Sequence, residues 1–263
     1  MINGLLPEDC EIILVCNGCT DDTADKARAY LQDYANLKVI ETDVASKVHA
    51  LNLGDEHAKG FPRAYIDADI ALDGKALSET IRIMDHNSSI LVAAPKLNVD
   101  TSRSNFGVRA FYTIWMQLPY FSKGQMVGSG VFILSKKGRS HFQRFPEIIS
   151  DDGYVRSLFS ESERQMIKEA AFTIFAPKTL KNLIKIKTRV RFGNMEVAQK
   201  YPSMSIGKDN GMSDIIKLTL KKPWLCIHSL LYIYVQLQTK RLSKARMAAA
   251  DFTTWERDDS SRI

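Results

Sequence analysis

Apolar residues fall along the first half of this chain in short, unbroken runs. Ile12-Ile13-Leu14-Val15 is the first of them, as expected of a strand covered on both faces. Thr20-Asp21-Asp22-Thr23 then opens a helix, with a cap and two acids in a first turn where the helix dipole favours them. Lys38-Val39-Ile40 reads as a second strand, Ala50-Leu51-Asn52-Leu53-Gly54 lies on a second helix, and Ala64-Tyr65-Ile66 is a third strand. The alternation predicts a parallel α/β sheet with its ligand at the carboxyl ends of the strands.

Further on, Leu77, Ile81 and Met84 make a helical apolar face, and Ile90-Leu91-Val92-Ala93-Ala94 makes another buried strand, stopped by Pro95. Residues 99–105 form a polar loop, and residues 106–121, with Tyr112, Trp115 and Tyr120, form a packed amphipathic segment. Gly128-Ser129-Gly130 brings backbone close to a ligand or a neighbouring strand just before the strand Val131-Phe132-Ile133-Leu134. Asp151-Asp152, after Ile148-Ile149-Ser150, is expected at a strand-to-helix junction. Lys181, Lys185, Lys187, Arg189 and Arg191 form a basic run ending at Phe192-Gly193. Past Pro223 the apolar, aromatic stretch from Trp224 to Val235 is followed by Lys240, Arg241, Lys244 and Arg246. It falls short of the ~20 residues a spanning helix needs, so a helix lying at a membrane interface or packed on the core is expected.

At 263 residues and 45% hydrophobic, the chain is long enough for one sizeable core and a small appendage. The expected division is an α/β domain over residues 1–200 and a helical extension over 201–263. Its 36 basic side chains against 30 acidic ones suit phosphorylated ligands or anionic lipid and do not require nucleic acid. Cys10, Cys16, Cys19 and Cys226 are too few and too uneven for a disulfide framework, and the first seven residues do not read as a signal peptide. A reducing, cytoplasmic setting is expected, with peripheral attachment at the inner face of the membrane.

The strongest local chemistry is Asp67-Ala68-Asp69 at the end of the third strand. Two carboxylates at the rim of a sheet can hold a sugar hydroxyl or a divalent cation, and hard oxygen ligands suit Mg²⁺ or Mn²⁺. Cys16-Asn17-Gly18-Cys19, between a strand and a helix, has the layout of a thioredoxin-type redox motif, but that reading leaves both acidic pairs unexplained. A haloacid-dehalogenase-type phosphatase would use Asp67 as nucleophile and Asp69 as acid/base; it normally has Thr or Val where Ala71 stands, and uses the first strand rather than the third.

In combination these motifs resemble a family 2 glycosyltransferase of the GT-A fold. Residues 15–23, Val-Cys-Asn-Gly-Cys-Thr-Asp-Asp-Thr, resemble the family's V-D-N-G-S-T-D-x-T turn, with Cys16 where Asp is frequent. Residues 47–54, Lys-Val-His-Ala-Leu-Asn-Leu-Gly, resemble its G-K-x-x-A-L-N-x-G helix, and Asp67-Ala68-Asp69 falls where its D-x-D sits. Gly128-Ser129-Gly130 with Asp151-Asp152 resembles the acceptor-side G-S-G and E-D pair. Arg191-Phe192 falls near the Q-x-x-R-W of some members, with Thr188 in place of Gln. The match covers residues 11–193. The family's pattern opens with a strand and loop reading roughly P-x-Y-N-E, followed by a helix; this chain enters only at Ile12, so a sheet short of its first strand is expected.

The resemblance implies a Rossmann-type sheet with helices on both faces. It implies a nucleotide-sugar donor, a glycan, lipid-linked or small-molecule hydroxyl acceptor, and inverting transfer. Asn17 would lie beside the nucleotide base, Lys47 near the nucleotide, Asp67 on ribose or metal, and Asp69 on Mg²⁺ or Mn²⁺. Asp152 would be the general base with Asp151 its support, and Arg189 and Arg191 would meet the diphosphate through charge-assisted hydrogen bonds. The alternative is a truncated domain of the same kind that binds without turnover.

Overall fold

The computed structural model describes residues 10–122, 129–204 and 211–249. The chain runs through β1 (Ile12–Asn17), α1 (Thr23–Arg28), β2 (Leu37–Thr42), α2 (Lys47–His57) and β3 (Arg63–Ile66), the order the apolar runs predict. It continues through β4 (Ile70–Ala71), α3 (Gly74–His86), β5 (Val92–Asp100), α4 (Phe106–Trp115) and α5 (Pro119–Ser122). Then come β6 (Val131–Leu134), α6 (Lys136–Arg139), α7 (Asp151–Leu158), β7 (Arg164–Phe175), α8 (Leu180–Lys200), α9 (Met212–Lys221) and α10 (Cys226–Ala248).

The single parallel sheet expected from the alternation is not what forms. β1 and β2 pair in parallel, from Ile12 opposite Leu37 to Asn17 opposite Thr42. The other five strands make a mixed sheet in the order β3-β6-β5-β7-β4, in which β5 and β7 are the one pair of neighbours joined in parallel. The helices after β5 turn the chain back, so β6 enters antiparallel between β3 and β5 and takes the edge a parallel neighbour would have used. Among the described residues β1 pairs only with β2 and β3 only with β6, which leaves each with one open edge. Leu14, in the run expected to be covered on both faces, is 37% exposed.

Pro95 does not stop its strand, because β5 continues to Asp100. The ladder to β7 instead skips three partner residues there, from Pro95 opposite Ile167 to Lys96 opposite Ala171. A residue with no N–H thus sits where the ladder is interrupted. Val99 and Asp100 belong to this strand rather than to the polar loop. The acids before α1 also differ from expectation: Asp21 Oδ1 accepts from the N–H (3.2 Å) and the hydroxyl (2.5 Å) of Thr23, and the acid of the helix's first turn is Asp25.

Alternation along the buried strands puts helices on both faces. Val92, Ala94, Phe132 and Leu134 pack with Val48 of α2 and with Tyr154 and Val155 of α7. Ala93, Ile133 and Ile167, one residue out of phase, pack with Leu77 and Met84 of α3. The C-terminal helices share a third cluster with α4 and α8, in which Phe111 and Tyr232 stack at 4.9 Å and Leu183 and Val235 are fully buried. No helix among the described residues is long and apolar enough to cross a membrane.

Candidate active site

β3 ends at Ile66, and the turn that follows carries Asp67 and Asp69 to the rim of the sheet. That turn is fixed from beneath by Gly130. Its carbonyl accepts from the Asp67 N–H at 2.7 Å, its φ is +112°, and a Cβ there would lie 2.6 Å from Ile70 Cγ2. Only glycine fits both the conformation and the space. Gly128, the other glycine of the predicted motif, lies outside the described residues.

Opposite this turn, Asp151 and Asp152 occupy the first turn of α7. The segment before them is irregular rather than a strand, which corrects the expected strand-to-helix junction. As adjacent helix-start residues they point apart. Asp151 Oδ1 lies 3.2 Å from Lys47 Nζ, and its buried Oδ2 has no hydrogen-bond partner among the described residues. Asp152 accepts at Oδ1 from the Ser150 hydroxyl (3.0 Å) and the Gly153 N–H (2.7 Å), and at Oδ2 from the Ser129 N–H (3.3 Å). Gly193 packs closely against Ser150, where a Cβ would lie 2.9 Å from the serine Cβ and 3.0 Å from its backbone nitrogen, and a Cβ on Gly153 would displace the Ser150 hydroxyl.

Lys47 joins the two sides. Ser46 caps α2 by accepting from the His49 N–H at 3.2 Å, and the first helical residue extends its ammonium to Asp67 Oδ1 (2.7 Å) as well as to Asp151. Sharing one nitrogen, the two carboxylate oxygens are at most about 6 Å apart. Burial alone would lower the lysine's pKa, but Asp151 and Asp67 together raise it above the ordinary value. Burial pushes Asp151 up to about 6, against the pull of Lys47. Asp152 goes the other way: burial is outweighed by the charges of Lys47 and Arg156 and by the N–H groups of Ser129 and Gly153, so its pKa is lowered.

Asn17, at the end of β1, and the exposed Asp69 line the same open cleft of about 2360 Å³. Gly18 follows Asn17 with φ +59° and its Cα against Ala45, where a Cβ would come within 2.6 Å. Arg189 and Arg191 line the cleft from α8, but the Arg191 guanidinium is directed to Gln236 of α10 at 2.9 Å. Cys16 is buried and its thiol pKa is raised, first by that burial, the opposite of the thiolate a redox motif needs.

Other residues at this site were given no role of their own from the sequence, Lys187 and Asn52 figuring only within the basic run and the A-L-N motif. Asn194 of α8 lies 3.0 Å from the Ser150 hydroxyl that holds Asp152. Lys187 sits with its ammonium 4.0 Å from the Trp115 ring centre and about 5.4 Å from that of Tyr112. The helical spacing of Lys187, Arg191 and Asn194 at i, i+4 and i+7 was the available signal, since it sets all three on one face of α8. Asp55 is also new: it accepts from Arg63, Arg139 and the Tyr65 hydroxyl at 2.6–2.8 Å, tying α2 to β3 and α6. Asn52, inside the A-L-N motif, exchanges two hydrogen bonds with the backbone of Phe145 at 2.8 and 2.9 Å.

Two carboxylates one residue apart, Asp67 and Asp69, offer hard oxygens beside room for more ligands. Among the described residues no group of three His, Cys, Asp or Glu forms a ready-made metal cage. This donor set fits an Mg²⁺ or Mn²⁺ that takes its remaining ligands from phosphate and water.

No curated protein matches the sequence. Among solved structures, the mannosyltransferase PcManGT from Pyrobaculum calidifontis, in complex with GDP-Man and Mn²⁺, aligns with a TM-score of 0.58 at 15% identity, over 95% of this chain and 68% of its own. S. aureus TarS 1-349 aligns with a TM-score of 0.49 at 11% identity, over 98% of this chain and 87% of its own. At such identities the first likeness is one of fold. The sequence model for glycosyl transferase family 2 matches residues 2–144, a stretch that holds Asn17, Lys47, Asp67 and Asp69 and more than half of the chain. This protein belongs to glycosyl transferase family 2.

Proposed function

We propose that this chain transfers a sugar from a nucleotide-sugar donor to a hydroxyl acceptor, with inversion at the anomeric carbon. The observation that carries the reading is the Lys47 bridge, which sets the acids of the β3 turn and those of α7 on opposite sides of one ammonium. Donor binding belongs to the β3 side, with Asn17 beside the base and Asp67 at the ribose or, with Asp69, at the cation. When bound, Mg²⁺ or Mn²⁺ would neutralise charge developing on the departing diphosphate. The PcManGT complex with GDP-Man and Mn²⁺ supports a donor and a cation of these classes.

Acceptor chemistry belongs to the α7 side. Asp152 is half-buried and faces Ser129, whereas Asp151 is buried against Lys47, so Asp152 is the carboxylate an incoming hydroxyl can reach. Its lowered pKa keeps it in the proton-accepting form at neutral pH, and Ser150 and Gly153 fix Oδ1 so that Oδ2, which accepts a long bond from Ser129, can take the acceptor proton. Asp151 orients Lys47. Arg189 and Arg191 meet the diphosphate once Arg191 releases Gln236.

Among the described residues β1 and β3, both lining the cleft, each pair on one side alone, which favours one second reading, a domain that binds donor without turnover. Incubating the protein with a panel of nucleotide sugars and Mn²⁺ separates the two. Release of nucleoside diphosphate from one donor class, lost in Asp152→Asn, supports transfer. Binding without release supports the second reading, and neither binding nor release contradicts both.

A further inference from the structure

α10 is built inside out. Its packed side carries Ser229, Thr239 and Ser243 beside Tyr232 and Val235, while Ile227, Leu230, Tyr234 and Leu237 face solvent. These four fall at i, i+3, i+7 and i+10, a single stripe along the helix. Leu220 of α9 and Trp224 in the turn Pro223–Leu225 extend it, and all six are 47–75% exposed. The Thr219 and Ser229 hydroxyls, 2.7 Å apart, join the two helices next to that turn. A contiguous exposed face of large apolar side chains marks a contact surface.

Charge identifies what it contacts. Residues 211–249 hold seven basic side chains and one acid, Asp214, a surplus of six that equals the surplus of the whole chain. Lys217, Lys221, Lys240, Arg241 and Lys244 are exposed around the stripe, and Arg241 continues it four residues past Leu237. A second copy would set two such basic faces against each other, and a neutral apolar partner would leave them unmatched. An anionic bilayer satisfies both: apolar side chains enter the headgroup boundary, Trp224 and Tyr234 sit at the interface, and the lysines and arginines reach lipid phosphates along their stems. We propose that the joined face of α9, the turn Pro223–Leu225 and α10 seats this protein on an anionic lipid surface. The proposal stands independently of the transfer reaction.

Sedimentation of the full chain with vesicles tests it, using phosphatidylcholine alone or with about a third phosphatidylglycerol. Recovery is expected on the anionic vesicles and not on the neutral ones. Trp224→Ser with Leu230→Ser, at exposed positions that leave the fold intact by circular dichroism, should abolish it. Lys240→Gln with Arg241→Gln should weaken partitioning about 25-fold, roughly fivefold for each charge removed. Equal recovery on both vesicles, no recovery on either, or a stable lipid-free dimer that the Trp224/Leu230 variant dissociates would overturn the proposal, the last by assigning the face to self-association.

Discussion

Replacing Lys187 by methionine should stabilise the protein at neutral pH. The lysine is packed between α8 and α4 against Trp115, Tyr112 and Phe111, and among the described residues it forms no ion pair. Burial lowers its pKa from 10.5 to about 8, which corresponds to a penalty of about 3 kcal/mol on the charged form at pH 7. The three ring faces return part of this, about 1–2 kcal/mol for a desolvated ammonium. Methionine keeps the length and the ring contacts without the charge, so a net gain of about 1–2 kcal/mol is expected. The folded pKa lies below the unfolded one, so between about pH 8 and 10.5 the folded state binds fewer protons and wild-type stability rises with pH. Urea denaturation of both proteins at pH 7 and pH 10 measures this. Methionine should lead at pH 7 and lose most of its lead at pH 10. A variant less stable than wild type at both values would show that the rings outweigh burial and refute the reasoning.

Asp152→Asn should lower turnover ~10²–10⁴-fold with donor affinity little changed, read as kcat against KM; Asp151→Asn should cost less in rate, and reversed effects would make Asp151 the base. Asp55→Ala leaves Arg63, Arg139 and the Tyr65 hydroxyl facing a void and should cost about 3–5 kcal/mol in urea denaturation. Asp55→Asn, which keeps acceptor oxygen in place, should cost less.

Local order was legible where one residue type has one physical use. The apolar runs marked β1, β2 and β3, and the D-x-D spacing put Asp67 and Asp69 at a strand end, because a strand covered by helices must be apolar and must end at a polar rim. Pairing direction was not legible, since β6 reads equally well as a parallel or an antiparallel neighbour and only the return of the chain through α4 and α5 decides. Lys47 illustrates the same limit at the site: its motif marked it as a nucleotide-side residue, but contact with Asp151, more than a hundred residues away, exists only once α2 and α7 pack on one face of the sheet. Arg191 was expected on a diphosphate and meets Gln236, on a helix whose packing partner no local pattern specified. Likewise α10 was open between core and interface because its apolar residues cover most of its surface; one side packs on the core and the other is exposed.

The central claim, that the β3 turn holds a nucleoside diphosphate through a divalent cation, is tested most directly by calorimetric titration of GDP and of UDP with and without Mn²⁺. Asp69 is exposed in a turn and makes no packing contribution, so Asp69→Ala leaves the fold intact while removing one of two hard oxygen ligands. The account predicts Mn²⁺-dependent binding of at least one nucleotide by the wild type and at least ~10-fold weaker binding by Asp69→Ala, the loss expected for a metal-site substitution. Binding that ignores Mn²⁺, or that Asp69→Ala leaves unchanged, would contradict it.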